Sequence, residues 1–113
     1  MNDSVILITR DGMGEAPAEL KTKLITTYFK LMSETEGLRP NAICFYADGV
    51  KLAVTGSPVL DSLKALEAEG VRLILCATCL NYFGLTDAVQ VGIVGGMTDI
   101  LEAQRLAAKV ITL

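Results

Sequence analysis

Two of the three cysteines in this 113-residue chain stand within one short stretch, LILCATCLNYFGL, as Cys76 and Cys79. A C-x-x-C pair can hold a metal, close a disulfide or present a reactive thiolate. The chain contains no histidine, which removes Ser-His-Asp and Cys-His catalysis. Three cysteines without histidine also cannot fill a four-ligand Cys/His zinc shell. No metal and no cofactor is therefore expected, and any thiolate must be stabilised by other means. The apolar run VRLILC ends at Cys76, and a short helix is expected to follow. Cys79 falls where that helix begins, where unpaired N–H groups and the positive dipole end favour a thiolate. Cys79 is thus expected to be the nucleophile, with a pKa below the ordinary value of about 8.5. Cys76, closer to the core, is its helper or resolving partner. The alternative is packing, since free cysteine also behaves as a small buried hydrophobe. Cys44, inside AICFYA, reads as core with no chemical role.

The elements that must position the pair alternate along the chain. Strands are expected at Ser4 to Arg10, Ala42 to Ala47, Val71 to Cys76, Val91 to Gly95 and Lys109 to Leu113. The first helix follows Pro17, with Leu20, Leu24, Tyr28, Leu31 and Met32 recurring at helical spacing. It should end near Gly37. Ser57-Pro58 starts a second helix with Val59, Leu60, Leu63 and Leu66 on its apolar face, closed by Gly70. The short helix after the cysteines runs into Gly84. Thr98 caps a last helix with Ile100, Leu101, Ala103 and Ala107 facing inward. DGVKLAVTG is a turn followed by a short extension. This alternation, with near-continuous apolar strands, indicates an α/β fold with a mainly parallel five-stranded sheet and helices on both faces. Residues 1–113 form one domain.

Composition narrows the function classes. Half of the residues are apolar, a fifth are charged and the net charge is −3. The ten Lys and Arg are scattered and aromatics are few, so nucleic acid is not an expected partner. No apolar run reaches the length of a membrane span, and the MNDSV start carries an acid where a signal peptide wants positive charge. A soluble cytoplasmic protein is expected, in a compartment that keeps thiols reduced.

Ligands of parallel sheets bind beyond the carboxyl ends of the strands, which draws attention to three loops: DGMG after the first strand, DGVK after the second and CATC after the third. Asp11, Gly12, Met13 and Gly14 follow the first strand. They fail the G-x-G-x-x-G dinucleotide pattern because Pro17 occupies the third glycine position, and a tight turn approaching the cysteine loop is the plainer reading. Lys51 is the one cation expected near the strand ends, against the simpler reading of a solvated lysine. Gly95 and Gly96 could offer backbone N–H groups to an anion at the last helix start, or simply form a flexible connection. Tyr82 and Phe83 follow the cysteines, where one of them could wall a pocket.

Taken together, DGMG, FYADGVKLAVTGSPVLDSLKALEAEGV, CATCLNYFGL and VGIVGGMTDI resemble the DsrE/DsrF-like sulfurtransferase superfamily, and within it the C-terminal domain of YedF-type proteins, a group linked to selenium metabolism. The resemblance runs from Ser4 to Leu113. It implies a three-layer α/β/α sandwich, a homo-oligomer and sulfur handling through a cysteine persulfide. Wider members show C-x-x-[ST]-L, matching Cys76 alone, whereas the YedF type shows C-x-x-C-L and keeps both thiols. YedF-type proteins also carry a TusA-like domain before this one. Its absence here implies a separate TusA-like sulfur carrier as partner. The leading expectation is a sulfur carrier or sulfurtransferase. The alternatives are a thiol-disulfide redox protein using the pair, and a non-catalytic oligomeric binding module.

Overall fold

Runs of Val, Ile and Leu, with Phe and Cys among them, build five short strands, and every pairing between them is parallel. The computed structural model describes residues 2–113. In chain order the elements are β1 (Ser4–Ile8), α1 (Ala18–Glu34), β2 (Ala42–Phe45), α2 (Leu60–Ala68), β3 (Arg72–Cys76), α3 (Ala77–Tyr82), β4 (Ile93–Gly95), α4 (Met97–Leu106) and β5 (Lys109–Thr112). A 3-10 helix spans Ala47–Ala53 after β2. The sheet order is β4-β3-β2-β1-β5.

Side chains alternate between the two faces of a strand, and the register shows how the layers are filled. Phe45 pairs with Leu75 and Cys44 with Ile74, so Phe45 and Ile74 point to opposite faces. Phe29 of α1 stacks at 6.5 Å between ring centroids on Phe45. Ile74 instead borders a hollow with Asp99 and Ala103 of α4. α1 and α2 pack together on one face, and α4 lies on the other. The result is a three-layer α/β/α sandwich, as expected. β1 and β2 are buried along their whole length and β3 from Leu73 onward, while the edge strands β4 and β5 are largely exposed.

The helices differ from expectation in which side chains they bury. In α1 the buried residues are Ile25, Phe29 and Met32. Leu20, Leu24 and Leu31 are 41–53 % exposed, and Tyr28 is half-buried. α1 is apolar on two adjacent flanks, and a sheet can cover only one of them. The flank carrying Phe29 wins because its ring reaches Phe45. In α4, Ile100 and Ala103 turn inward, whereas Leu101 points outward. α2 begins three residues after Ser57, whose Oγ accepts the Val59 N–H at 3.2 Å in the preceding turn. Gly70, at φ 95°, closes it as expected.

The register also aligns the exits from the sheet. Ile8 pairs with Phe45, and Phe45 with Leu75, so the chain leaves β1, β2 and β3 side by side at one edge. The reversal in strand order falls between β1 and β5, two strands away from the cysteines. None of the helices among the described residues is long and apolar enough to cross a membrane.

Candidate functional site

β3 delivers Cys76 to the edge of the sheet as its last residue, and α3 turns the chain at once so that Cys79 lies one turn later. Cys76 is 2 % exposed and Cys79 partly buried. Neither cysteine is in a disulfide, and Cys76 is close enough to Cys79 to oppose its ionisation. Cys79 Sγ accepts the backbone N–H of Ala47 at 3.1 Å. That donor comes from the loop leaving β2, where Ala47 adopts a left-handed φ of 51°. The loop is pinned from several sides. Tyr46 donates its N–H to the Ile8 carbonyl at 3.1 Å, and the Gly49 N–H donates back to the Tyr46 carbonyl at 3.0 Å. Gly49 presses so closely on β1 that an added Cβ would sit 2.0 Å from the Ile8 carbonyl oxygen. Only glycine permits that approach.

The electrostatics correct one expectation. Cys79 is not depressed in this chain but raised above the ordinary thiol value. Burial is the main cause, the Ala47 N–H works against it, and the neighbouring Cys76 thiol adds to it. α3 is only six residues long, and the donor facing the sulfur belongs to Ala47 rather than to the helix. The helix start therefore does not supply what the spacing suggested. Cys44 is fully buried on β2, and burial pushes its thiol up to about 11 with a smaller opposing pull from Arg72.

The remaining expected residues divide among different places. Asp11 and Lys51 line a cleft of about 630 Å³ together with Thr55, Ser57 and Phe83. Neither cysteine lines that cleft. Lys51 Nζ pairs with Asp48 at 2.8 Å and lies 4.4 Å from the centre of the Phe83 ring. Its pKa is raised, chiefly by the Asp48 hydrogen bond. Phe83 in turn donates its N–H to the Cys79 carbonyl at 3.1 Å. Lys51 thus ties the 3-10 helix to the end of α3. Tyr82 is 84 % exposed and lines none of this wall; Phe83 does. The DGMG turn approaches α1 rather than the cysteine loop. A Cβ on Gly12 would sit 2.7 Å from Lys21 Cβ, the Met13 N–H donates to the Lys21 carbonyl at 3.1 Å, and Gly14 adopts φ 78°. Gly95 and Gly96 lie at the α4 start, where the Gly96 N–H donates to the Asp99 carboxylate at 2.9 Å. The chain's own acid fills that anion position.

Ala47 is the residue that sequence reasoning passes over. The DGVK loop beside it, with Asp48 and Gly49, stands out at a strand end, but its D-G pair marks a turn and not an approach to a sulfur.

Solved structures share this architecture. The ychN protein from E. coli matches with a TM-score of 0.70 at 17 % identity, covering 100 % of both chains. MTH1491 from Methanobacterium thermoautotrophicum, a protein of unknown function, matches at 0.68 and 22 % identity over 97 % of each chain. BT1422 from Bacteroides thetaiotaomicron, also of unknown function, matches at 0.67 and 14 % identity, covering 98 % of this chain and 95 % of that one. At these identities the likeness is one of fold. No curated protein matches the sequence. The DsrE/DsrF-like family model matches residues 4–113, and the chain belongs to the DsrE/DsrF-like family.

Proposed function

We propose that this chain is a sulfur-relay protein in which Cys79 takes up sulfane sulfur as a persulfide and passes it to a thiol on another protein. The observation that supports this most is a partly buried thiol at the sheet edge, held by a backbone N–H and backed by a second, buried thiol, in a DsrE/DsrF-like chain. In uptake, the Cys79 thiolate attacks the outer sulfur of a donor R–S–SH. The Sγ–S bond forms, the donor S–S bond breaks, and RS⁻ leaves to collect the proton that Cys79 gave up. When no acceptor thiol takes the sulfur, Cys76 is the resolving thiol: its attack on Cys79 Sγ expels hydrosulfide and closes a Cys76–Cys79 disulfide.

The C-x-x-C-L loop and the GSPVL helix start favour a YedF-type relationship within the family. A TusA-like carrier fits as partner, with the exposed ring of Tyr82 beside the reactive loop as an anchor for it. The exposed row Leu20, Leu24 and Leu31 on α1 suits a homo-oligomeric interface, checked by light scattering at micromolar concentration. A reducing, cytoplasmic setting would keep both thiols free.

The test is intact-protein mass spectrometry after incubation with a sulfane-sulfur donor. A gain of one sulfur atom that disappears in Cys79→Ser supports the relay. Loss of two hydrogens without sulfur gain would point to a redox protein, and no change to a binding module. Sulfur retained by Cys79→Ser and lost from Cys76→Ser would move the chemistry to Cys76.

A further inference from the structure

Among the described residues, Ala47 is the one non-glycine residue with a positive φ. A left-handed alanine is strained because its Cβ crowds the following carbonyl. Such strain persists only where the surroundings over-determine it. Here the Tyr46–Ile8 and Gly49–Tyr46 hydrogen bonds and the tight Gly49 packing do so. β2 ends at Phe45, and by turning left-handed two residues later the chain aims the Ala47 N–H at Cys79 Sγ, 3.1 Å away.

Resting on the relay reading above, we propose that Ala47 is a positioning residue whose N–H makes Sγ of Cys79 the leaving sulfur, so that a bound sulfur is handed on as a persulfide rather than lost as sulfide. A Cys79 persulfide offers an incoming thiolate R′S⁻ two targets. Attack on the outer sulfur forms R′S–S, breaks the Sγ–S bond and leaves the electron pair on Sγ. The product is R′–S–SH and a Cys79 thiolate. Attack on Sγ forms a mixed disulfide between Cys79 and R′ and expels HS⁻. A leaving sulfur departs faster when its negative charge is stabilised. The Ala47 N–H faces the one atom that becomes charged in the first route and stays uncharged in the second. The partial burial of Sγ also hinders direct attack on it, while an outer sulfur extends beyond it. The same contact serves uptake, because the attacking thiolate is again Sγ.

A backbone N–H is removed cleanly by an amide-to-ester exchange. The full chain can be assembled by ligation at Cys44, with lactic acid in place of alanine at position 47. This keeps the side chain and deletes the donor, while weakening the Tyr46 carbonyl that accepts the Gly49 N–H, so thermal unfolding is measured alongside. The protein is loaded with a sulfane-sulfur donor, then offered an excess of a small thiol acceptor. Acceptor persulfide and free sulfide are counted, and the pH dependence of Cys79 alkylation is followed. Loss of one hydrogen bond to a charged sulfur corresponds to about a tenfold change or more. The expected result is therefore a persulfide-to-sulfide ratio about tenfold lower, with the alkylation profile moved to higher pH. Ala47→Val, whose β-branched side chain resists positive φ, should shift both readouts the same way. Ala47→Gly, which accepts φ 51° and keeps the N–H, should stay near the native ratio. The ester protein carries the test where valine prevents folding. Normal sulfur uptake with an unchanged ratio in the folded ester protein overturns this role for Ala47 and leaves the relay intact. A native protein that takes up no sulfur overturns the relay, and this proposal with it.

Discussion

Gly49 is where fold and site are most tightly coupled, and its replacement by alanine should be costly. A Cβ there would lie 2.0 Å from the Ile8 carbonyl oxygen and 2.7 Å from the Ile8 carbonyl carbon. Ordinary contacts begin near 3.4 Å, so two backbone segments must part by about 1.4 Å. Neither partner is a flexible side chain. Ile8 is 0 % exposed and hydrogen-bonded into the sheet through β1. Overpacking a rigid core typically costs 1–3 kcal/mol, and a backbone clash of this size belongs at or above the upper end. At roughly 4 °C per kcal/mol for a domain of this length, the melting temperature should fall by about 12 °C. Separating these segments also loosens the Tyr46 N–H···Ile8 bond and with it the Ala47 donor on Cys79. Two controls separate the clash from a general intolerance of alanine. Gly56 has open space but φ 91°, so Gly56→Ala should cost about 1 kcal/mol through backbone strain. Gly37 has open space and no positive φ, so Gly37→Ala should be neutral or slightly stabilising. Thermal and urea unfolding of the three variants is the assay, with Cys79 alkylation alongside. If Gly49→Ala melts within about 3 °C of the native protein, less than 1 kcal/mol has been lost, and the clash reasoning is wrong.

Three further outcomes are expected. Removing Cys76 as Cys76→Ala takes away one of the causes that raise Cys79, so the Cys79 alkylation profile should move to lower pH; a shift to higher pH would refute the described coupling. Burial pushes the folded Cys44 thiol up to about 11, well above the ordinary thiol range. Its folded pKa is raised, so its contribution is complete below pH 9 and lost as pH climbs toward 11, by about 2–3 kcal/mol; the native protein should show this alkaline loss in urea titrations and Cys44→Ala should lack it. Asp99→Ala removes the acceptor of the Gly96 N–H at the α4 start and should cost about 1 kcal/mol, measured as a melting drop of roughly 4 °C, with sulfur uptake at Cys79 unchanged.

The fold was legible because its signals are local and repeated. Strands of continuous Val, Ile and Leu alternate with helical spacing, and glycines such as Gly70 and Gly84 stand where the helices stop, both with positive φ. What could not be read was which flank of a helix meets the sheet. α1 carries Leu20, Leu24 and Leu31 on one flank and Ile25, Phe29 and Met32 on another. Periodicity cannot choose between them, because the choice rests on Phe29 reaching Phe45, a contact across 16 residues of sequence.

Of the candidate site, the sequence displays the two cysteines and their spacing but not their surroundings, for a related reason. Spacing places Cys79 one turn after a strand end and points to the helix start as the source of donors. The actual donor comes from another loop, 32 residues away in sequence. It depends on three things that a residue string does not display: the parallel register that sets the β2 and β3 exits side by side, a glycine pressed against Ile8, and an alanine turned left-handed. Burial then outweighs that single donor and leaves the resting thiol harder to ionise than an ordinary cysteine. In such an environment a thiolate costs more to form than in water, so the N–H matters most at the moments when Sγ carries charge. In the proposed relay, those moments are the attack on the donor persulfide and the departure of the sulfur to the acceptor. On the proposed relay, such a site would hold a neutral thiol or a loaded persulfide at rest, and the Ala47 N–H would favour transfer at the same atom in both directions.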